Sequence, residues 1–289
     1  MLKDSFPSPQ SIPLVSIIMP AHNASRTIDS AIRSIAAQTY SAWELLVVED
    51  HSRDDTLAKI ASWARRDVRI RLLRTPTNAG PAEARNHGLR NARGRYIAFL
   101  DADDVWKSNK LTHQLQLMTE NGLAFSYCSY IAFNDGESTG RLYSVPPTIS
   151  FASMLAGSVV GCLTVMYDSK IVGIELFDDG RQYLRGSIWS KIYDKIGHED
   201  YVAWMRILRK IEYCGLPPAK GIAEPLAYYR IGPASFSASK IKVAGYQFII
   251  YQKIFGLSLL RSICYMFFYT FNAIKKRKAR VPILQVGCA

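Results

Sequence analysis

The chain has 289 residues and a formal net charge of +12, enough length for one large α/β domain or two smaller ones. The charge is uneven: residues 1–224 carry 26 basic against 24 acidic side chains, whereas ten Lys and Arg and no acid follow Glu224. This counts against a basic globule built for nucleic acid and points to a tail that meets an anionic surface. Five cysteines (Cys128, Cys162, Cys214, Cys264, Cys288) are odd in number and lack a Cys-x-x-Cys pair. They suit a reducing cytosol and predict neither a zinc site nor a disulfide framework. Residues 1–13 are polar, rich in Ser and Pro, without the apolar core of an export signal, and are expected to be flexible.

In chain order, residues 14–19 predict a buried parallel strand ended by Pro20. Asn23 or Ser25 can cap a helix carrying Ile28, Ala31, Ile32 and Ile35 at helical spacing. A strand over 45–48 leads into the acidic turn Glu49-Asp50 and a helix with Leu57, Ile60, Ala61 and Ala64. Residues 68–73 give a third strand, Pro81 starts a short helix to Leu89, and Gly94 leads into a strand over 96–100. This alternation is the pattern of a doubly wound α/β sheet. Ser108 then caps a helix with Leu111, Leu115 and Met118 that Gly122 ends.

From Ala124 the rhythm changes: 124–133 and 161–167 read as strands, 200–210 as a helix, and 226–230 as a last strand before the polar loop 231–240. The division expected is a flexible 1–13, a globular 14–240 with a nucleotide-binding half to about 120 and a second ligand surface from 121, and a tail from 241 to 289. The tail is aromatic and aliphatic on most sides, interrupted by Lys253 and Arg261 and followed by Lys275-Lys276-Arg277-Lys278. It lies in a membrane interface, packs on the protein, or spans a bilayer. The interfacial reading fits best, because a span needs ~20 largely apolar residues and basic clusters favour anionic headgroups.

The most informative stretch is Tyr96 to Asp104, where an apolar strand stops at Asp101, Asp103 and Asp104. Carboxylates at the carboxyl end of a strand sit where α/β sheets bind ligands, and Asp-x-Asp offers oxygens to a hard divalent cation. Strand one ends in Pro20-Ala21-His22-Asn23, with neither a Gly-x-Gly-x-x-Gly turn nor a Gly-Lys-Ser/Thr loop. Dinucleotide binding and phosphate-loop ATPase activity are therefore disfavoured. Asp50 either accepts hydrogen bonds from a base or ribose or caps the following helix with Ser52 or Asp54. Arg85, one turn into its helix, suits a phosphate or a carboxylate such as Asp101 or Asp103. Trp189, Tyr201 and Trp204 either stack on a sugar or belong to the core, and residues 161–164 either line an acceptor site or form a plain strand.

The order Val-Ser-Ile-Ile-Met-Pro-Ala-His-Asn, Val-Val-Glu-Asp-His-Ser-x-Asp-Asp-Thr, Asn-Ala-Gly-x-x-x-Ala-Arg-Asn and Phe-Leu-Asp-Ala-Asp-Asp runs from Val15 to Asp104. It resembles the family-2 nucleotide-sugar glycosyltransferases of the GT-A fold. The resemblance resumes at His198-Glu199-Asp200-Tyr201 with Trp204, and at Tyr229-Arg230 with Ser235 and Ser237.

The resemblance implies one Rossmann-like mixed sheet flanked by helices. It also implies inverting transfer from a nucleotide-diphosphate sugar, such as a UDP-sugar, to a saccharide acceptor. Pro20, Ala21, His22, Asn23 and Asp50 would hold the nucleoside, Arg85 would sit near base or diphosphate, and Asp101 with Ala102 would face the ribose and donor sugar. Asp103 would bind Mn2+ or Mg2+. Asp200 would be the catalytic base, with Glu199 the alternative, since adjacent helical residues point about 100° apart and only one should face the cleft. Arg230 and the following serines would close over the diphosphate or acceptor.

A lipid-linked saccharide of a surface polysaccharide is the expected acceptor, at the inner face of the plasma membrane, because the tail supplies membrane contact. A polyprenyl-phosphate sugar transferase and a non-catalytic sugar-nucleotide or membrane-binding protein are the alternatives.

Overall fold

The computed structural model describes residues 14–157, 160–185, 198–231, 240–275 and 280–283. Residues 1–13, Trp189, Ser235, Ser237, the basic run 276–278 and Cys288 lie outside the described residues. The first half alternates β1 (Val15–Ala21), α1 (Ile28–Ala36), β2 (Trp43–Glu49), α2 (Thr56–Arg66), β3 (Ile70–Arg74), α3 (Pro81–Arg90) and β4 (Tyr96–Phe99). After β5 (Val105–Trp106) and α4 (Lys110–Asn121) come β6 (Phe125–Phe133), β7 (Thr139–Tyr143), β8 (Thr148–Ile149) and α5 (Phe151–Leu155). A 3-10 turn at Cys162–Thr164 leads to β9 (Met166–Asp168), α6 (Ser169–Val172) and α7 (Arg181–Leu184). Then follow α8 (Glu199–Tyr213), β10 (Ala219–Arg230), α9 (Lys240–Ile249), a π-turn at Ile250–Ile254, α10 (Leu259–Lys275) and β11 (Arg280–Pro282).

The sheet runs β3-β2-β1-β4-β9-β6, and β6 carries β10 in parallel on its other edge. β1 pairs in parallel with β2 and β4, and β9 is antiparallel to both β4 and β6. Parallel strands buried on both faces need apolar residues at nearly every position, which the runs in β1 and β2 supply. Successive side chains alternate faces. Ile18, Leu46, Ile97 and Phe99 pack under α3 and α8, whereas Val15, Ile17, Met19, Leu45 and Val47 pack under α1, α2 and α4. Gly88 lets α3 settle on β1, since a Cβ there would come within 2.6 Å of Ile18.

Several expectations are corrected. β1 continues through Pro20 to Ala21. The Ile18 carbonyl faces the β4 side, accepting from Leu100, so the missing Pro20 N–H faces the edge where β4 has already stopped at Phe99. The third strand begins at Ile70, and Val68 is 95% exposed. Neither Asn23 nor Ser25 caps α1, which starts after Thr27, and α4 starts after Asn109 rather than at Ser108. The stretch 161–167 is not one strand: Thr164 Oγ1 donates to Gly161 O and the buried Gln114 amide donates to Thr164 O, so the 3-10 turn finds its partners locally. β10 is longer than expected, with register shifts around Pro225 where the ladder loses a donor. Gly122 ends α4 as expected, in the left-handed conformation that suits glycine.

Candidate active site

The carboxyl ends of β1, β2 and β4 meet the start of α3 around a cleft of about 310 Å³. Its lining includes Pro20, Ala21, His22, Asn23, Asp50, Arg85, Asp101, Ala102 and Asp103, together with Asn78, Gly80, Pro81 and Ala84. Four sequence segments far apart in the chain thus converge on one concavity, because parallel strands deliver their carboxyl ends to the same edge.

The loops after β1 and β2 are stapled to one another. Asp50 N donates to Ala21 O, His22 Nδ1 lies 2.6 Å from Asp50 O, and Asn23 N donates to Ser52 Oγ while its side chain accepts from Arg53 N. Asp50 is buried and does not cap α2; its Oδ1 accepts from Thr75 Oγ1 and Ala79 N, and its Oδ2 from Gly80 N. Burial pushes this carboxyl up, and those three hydrogen bonds outweigh it, leaving Asp50 below the usual carboxylate range and ionised. It therefore pins the 78–80 turn that opens α3 and keeps an edge toward the cleft.

Arg85 is 6% exposed. Its Nη2 donates to Asp101 Oδ1 at 2.7 Å and Oδ2 at 3.0 Å, and its Nη1 donates to Glu199 Oε1 at 3.2 Å. Burial disfavours its charge, but the negative charge of Asp101, with Glu199 adding to it, holds the guanidinium firmly protonated. Of the partners open to it in the sequence it takes Asp101, and it also takes Glu199, 114 residues away. Arg85 also faces the Phe177 ring at 5.4 Å, and that ring is fixed by reciprocal bonds between the Asn86 amide and the Phe177 backbone.

The three acids of the β4 turn have separate surroundings. Asp101 is tied to Arg85, whereas Asp103 forms no ion pair among the described residues and is exposed at the cleft. Crowding by protein atoms and then the charge of Asp101 push the Asp103 carboxyl up. A carboxylate raised by a like charge is stabilised when a cation joins the pair. Hard oxygen donors with a cationic deficit fit a divalent ion that also takes phosphate oxygens. No cluster of three or more ligating side chains occurs among the described residues, so the protein would supply only part of the coordination shell.

Asp104, 1% exposed, accepts from Arg230 N at 2.9 Å, clamping the acidic turn to the end of β10. Burial, and then the charges of Asp103 and Asp101, push its carboxyl well up. Arg230, expected over the diphosphate or acceptor, is not among the residues of the cleft lining. Its Nε donates to Asp103 O, its Nη1 pairs with Asp135, and it covers the Phe133 ring at 4.9 Å.

The Glu199-Asp200 pair opens α8, where His198 adopts a left-handed backbone at the N-cap. Glu199 turns to Arg85 and Asp200 does not, so the two acids do separate around the helix. Burial, and then the charge of Glu199, push the Asp200 carboxyl up, with His198 and Arg85 opposing. His198 packs edge-on against Tyr246, and its Nε2 is buried with no hydrogen-bond partner among the described residues. Tyr201 and Trp204 are core residues: Tyr201 donates to Met154 O, and Trp204 sits among Phe99, Phe125 and Phe177. Cys162 is buried and its thiol is pushed far up by burial, so it is not a nucleophile.

Sequence reasoning missed Asp104 and Asn86 as fixtures of the site. Their signals were present: Asp104 directly precedes the apolar Val105-Trp106, and Asn86 directly follows Arg85.

Known proteins resemble the chain in both sequence and fold. The profile of Glycosyl transferase family 2 matches residues 16–166. The chain is 34% identical to a Bacillus subtilis protein named as a teichuronic acid biosynthesis glycosyltransferase, TuaG, over 92% of this chain and 98% of that one. It is 35% identical to the Escherichia coli UDP-Glc:alpha-D-GlcNAc-diphosphoundecaprenol beta-1,3-glucosyltransferase WfgD, over 91% of this chain and 94% of that one. Among solved structures, residues 1–349 of S. aureus TarS superpose with a TM-score of 0.63 at 17% identity, covering 91% of this chain and 72% of that fragment. The mannosyltransferase PcManGT of Pyrobaculum calidifontis, solved with GDP-Man and Mn2+, gives 0.58 at 18% identity, covering 91% and 72%. The fold is GT-A, and the chain is a glycosyltransferase belonging to glycosyl transferase family 2.

Proposed function

We propose that the protein is an inverting, metal-dependent transferase that moves a sugar from a UDP-sugar to a lipid-linked saccharide acceptor in surface-polysaccharide synthesis. The observation that carries this reading is the Asp101–Arg85–Glu199 bridge, which joins the acidic turn of the donor cleft to the first turn of α8, where Asp200 follows Glu199. The names of the Escherichia coli and Bacillus subtilis relatives support the donor and acceptor classes. Residues 14–120 form the nucleotide-sugar half and residues 121–240 the acceptor half in this reading. The tail from 241 holds the chain peripherally at the inner face of the plasma membrane.

In the mechanism, Pro20, Ala21, His22, Asn23 and Asp50 hold the nucleoside, and Asp101 with Ala102 faces the ribose and donor sugar. Asp200 takes the proton from the acceptor hydroxyl, whose oxygen attacks C1 as the bond from C1 to the diphosphate oxygen breaks. The carboxyl raised by burial is, once ionised, a better proton acceptor than an ordinary Asp. Asp103 would hold Mn2+ or Mg2+, which supplies positive charge to the departing nucleoside diphosphate and removes the need for a general acid. Arg85 keeps Asp101 oriented and positions Glu199 away from the acceptor.

The test is donor turnover. Purified protein with a UDP-sugar panel should hydrolyse at least one donor slowly in Mn2+ or Mg2+ and not in EDTA. Asp103→Ala should weaken metal-dependent donor binding, measured by calorimetry, by about 100-fold or more, the loss of a charge-assisted ligand. Donor binding by the variant that matches wild type would remove Asp103 from the metal.

A further inference from the structure

α10 presents two different faces. Leu259, Leu260, Ile263, Phe267, Phe268 and Phe271 are each 47–73% exposed. At about 100° per residue they fall within one half of the helix circumference. The opposite face packs on the protein: Ser262 is buried, Tyr265 meets Tyr251 with ring centroids 6.1 Å apart, and Asn272 donates to Ala156 O. A monomer does not normally expose so contiguous an aromatic stripe unless something covers it.

What covers it is indicated by charge. No Asp or Glu occurs after Glu224, and the helix runs into Lys275-Lys276-Arg277-Lys278. Arg261, exposed at the border of the apolar arc, can extend its stem along the stripe with its head in water. A second copy of the same basic helix would be repelled, whereas an anionic lipid surface is attracted. The helix has 17 residues, and no described helix is long and apolar enough to cross a membrane, so it lies along the interface.

The inner face of α10 approaches the acceptor side of the site. Asn272 binds the end of α5, whose Leu155 carbonyl accepts from Tyr251 and whose Met154 carbonyl accepts from Tyr201, the neighbour of Asp200. Burial, and then the negative charge of Asp200, push the Tyr269 phenol up.

We propose that the Leu259–Phe271 face of α10 docks in the headgroup layer of an anionic bilayer, with its opposite face held on α5 and the π-turn beside the start of α8. A lipid-linked acceptor then reaches Asp200 along α10 without leaving the membrane; this last step rests on the glycosyl-transfer reading. The docking itself does not.

The test is flotation of the full chain with phosphatidylcholine vesicles, with and without phosphatidylglycerol, for wild type and for Phe267→Ser/Phe268→Ser/Phe271→Ser. These positions are exposed, so the variant should keep its fold and its turnover with a water-soluble acceptor. Wild type should float only with phosphatidylglycerol present, and the variant's partition coefficient should fall about 100-fold. Equal flotation of the two proteins, no flotation of wild type, or a wild-type dimer that the variant dissociates would overturn the docking. Flotation of a protein that turns over no nucleotide-sugar would sink the proposed function and leave the docking standing. Turnover without flotation would overturn the docking, and with it the peripheral placement of the tail, and leave the glycosyl-transfer reading standing.

Discussion

Arg85 holds two carboxylates from distant segments, Asp101 of the acidic turn and Glu199 of α8. In the proposed mechanism Asp200 serves as base only when ionised, and burial together with Glu199 raises its carboxyl, so the transfer rate should fall as pH drops through that raised value. The acid limb should lie above the ordinary Asp value of about 3.9. Glu199→Gln removes a negative neighbour and leaves more of the Arg85 charge to favour the Asp200 carboxylate. Both effects lower the Asp200 pKa, so the limb of the pH–rate profile should move to lower pH with the plateau rate changed little. A plateau reduced by about 10²–10⁴ would instead make Glu199 the base. Most site residues were legible at this scale because carboxylates after apolar strands have few reasons to exist. The Arg85–Glu199 pair and the Asp104–Arg230 clamp were not, since 114 and 126 residues separate the partners and no local pattern records them.

At the scale of elements, α4 carries an unusual group. Lys110 is fully buried, donates to Gln114 at 2.6 Å and lies 3.9 Å from the Trp106 ring centroid. Burial pushes its ammonium down from 10.5 to about 8. Between about 8 and 10 the unfolded chain binds a proton that the folded chain has released, so stability rises with pH across that window. Below it, the charge persists in both states and the increment is absent. Urea unfolding of wild type against Lys110→Met from pH 7.5 to 10 should show about 3 kcal/mol of pH-dependent gain in the wild type alone. Parallel pH curves would place Lys110 in contact with water.

The elements themselves were read well where burial on both faces forced long apolar runs, as in β1 and β2. They were read poorly where polar side chains set the backbone. Gln114 binding Thr164 O is one such case, and it turned an expected strand into a 3-10 turn. Short strands such as β5 and β8 have two residues each and no period to detect.

For the whole molecule, the sheet unites both halves: β9 returns antiparallel between β4 and β6, so the acidic turn after β4 lies close to the strand end that Asp104 secures. The chain from Val15 to Asp104 announced this architecture through four ordered motifs, whereas the packing of the tail against α5 and the π-turn was set by contacts no motif carries. In the proposed mechanism donor binding and proton removal are divided between the acidic turn and α8. Its most direct test is Asp200→Asn, with donor affinity and transfer rate measured on the same preparation with saturating metal. The variant should keep wild-type donor affinity and transfer more slowly by about 10²–10⁴. Transfer at the wild-type rate would contradict that division.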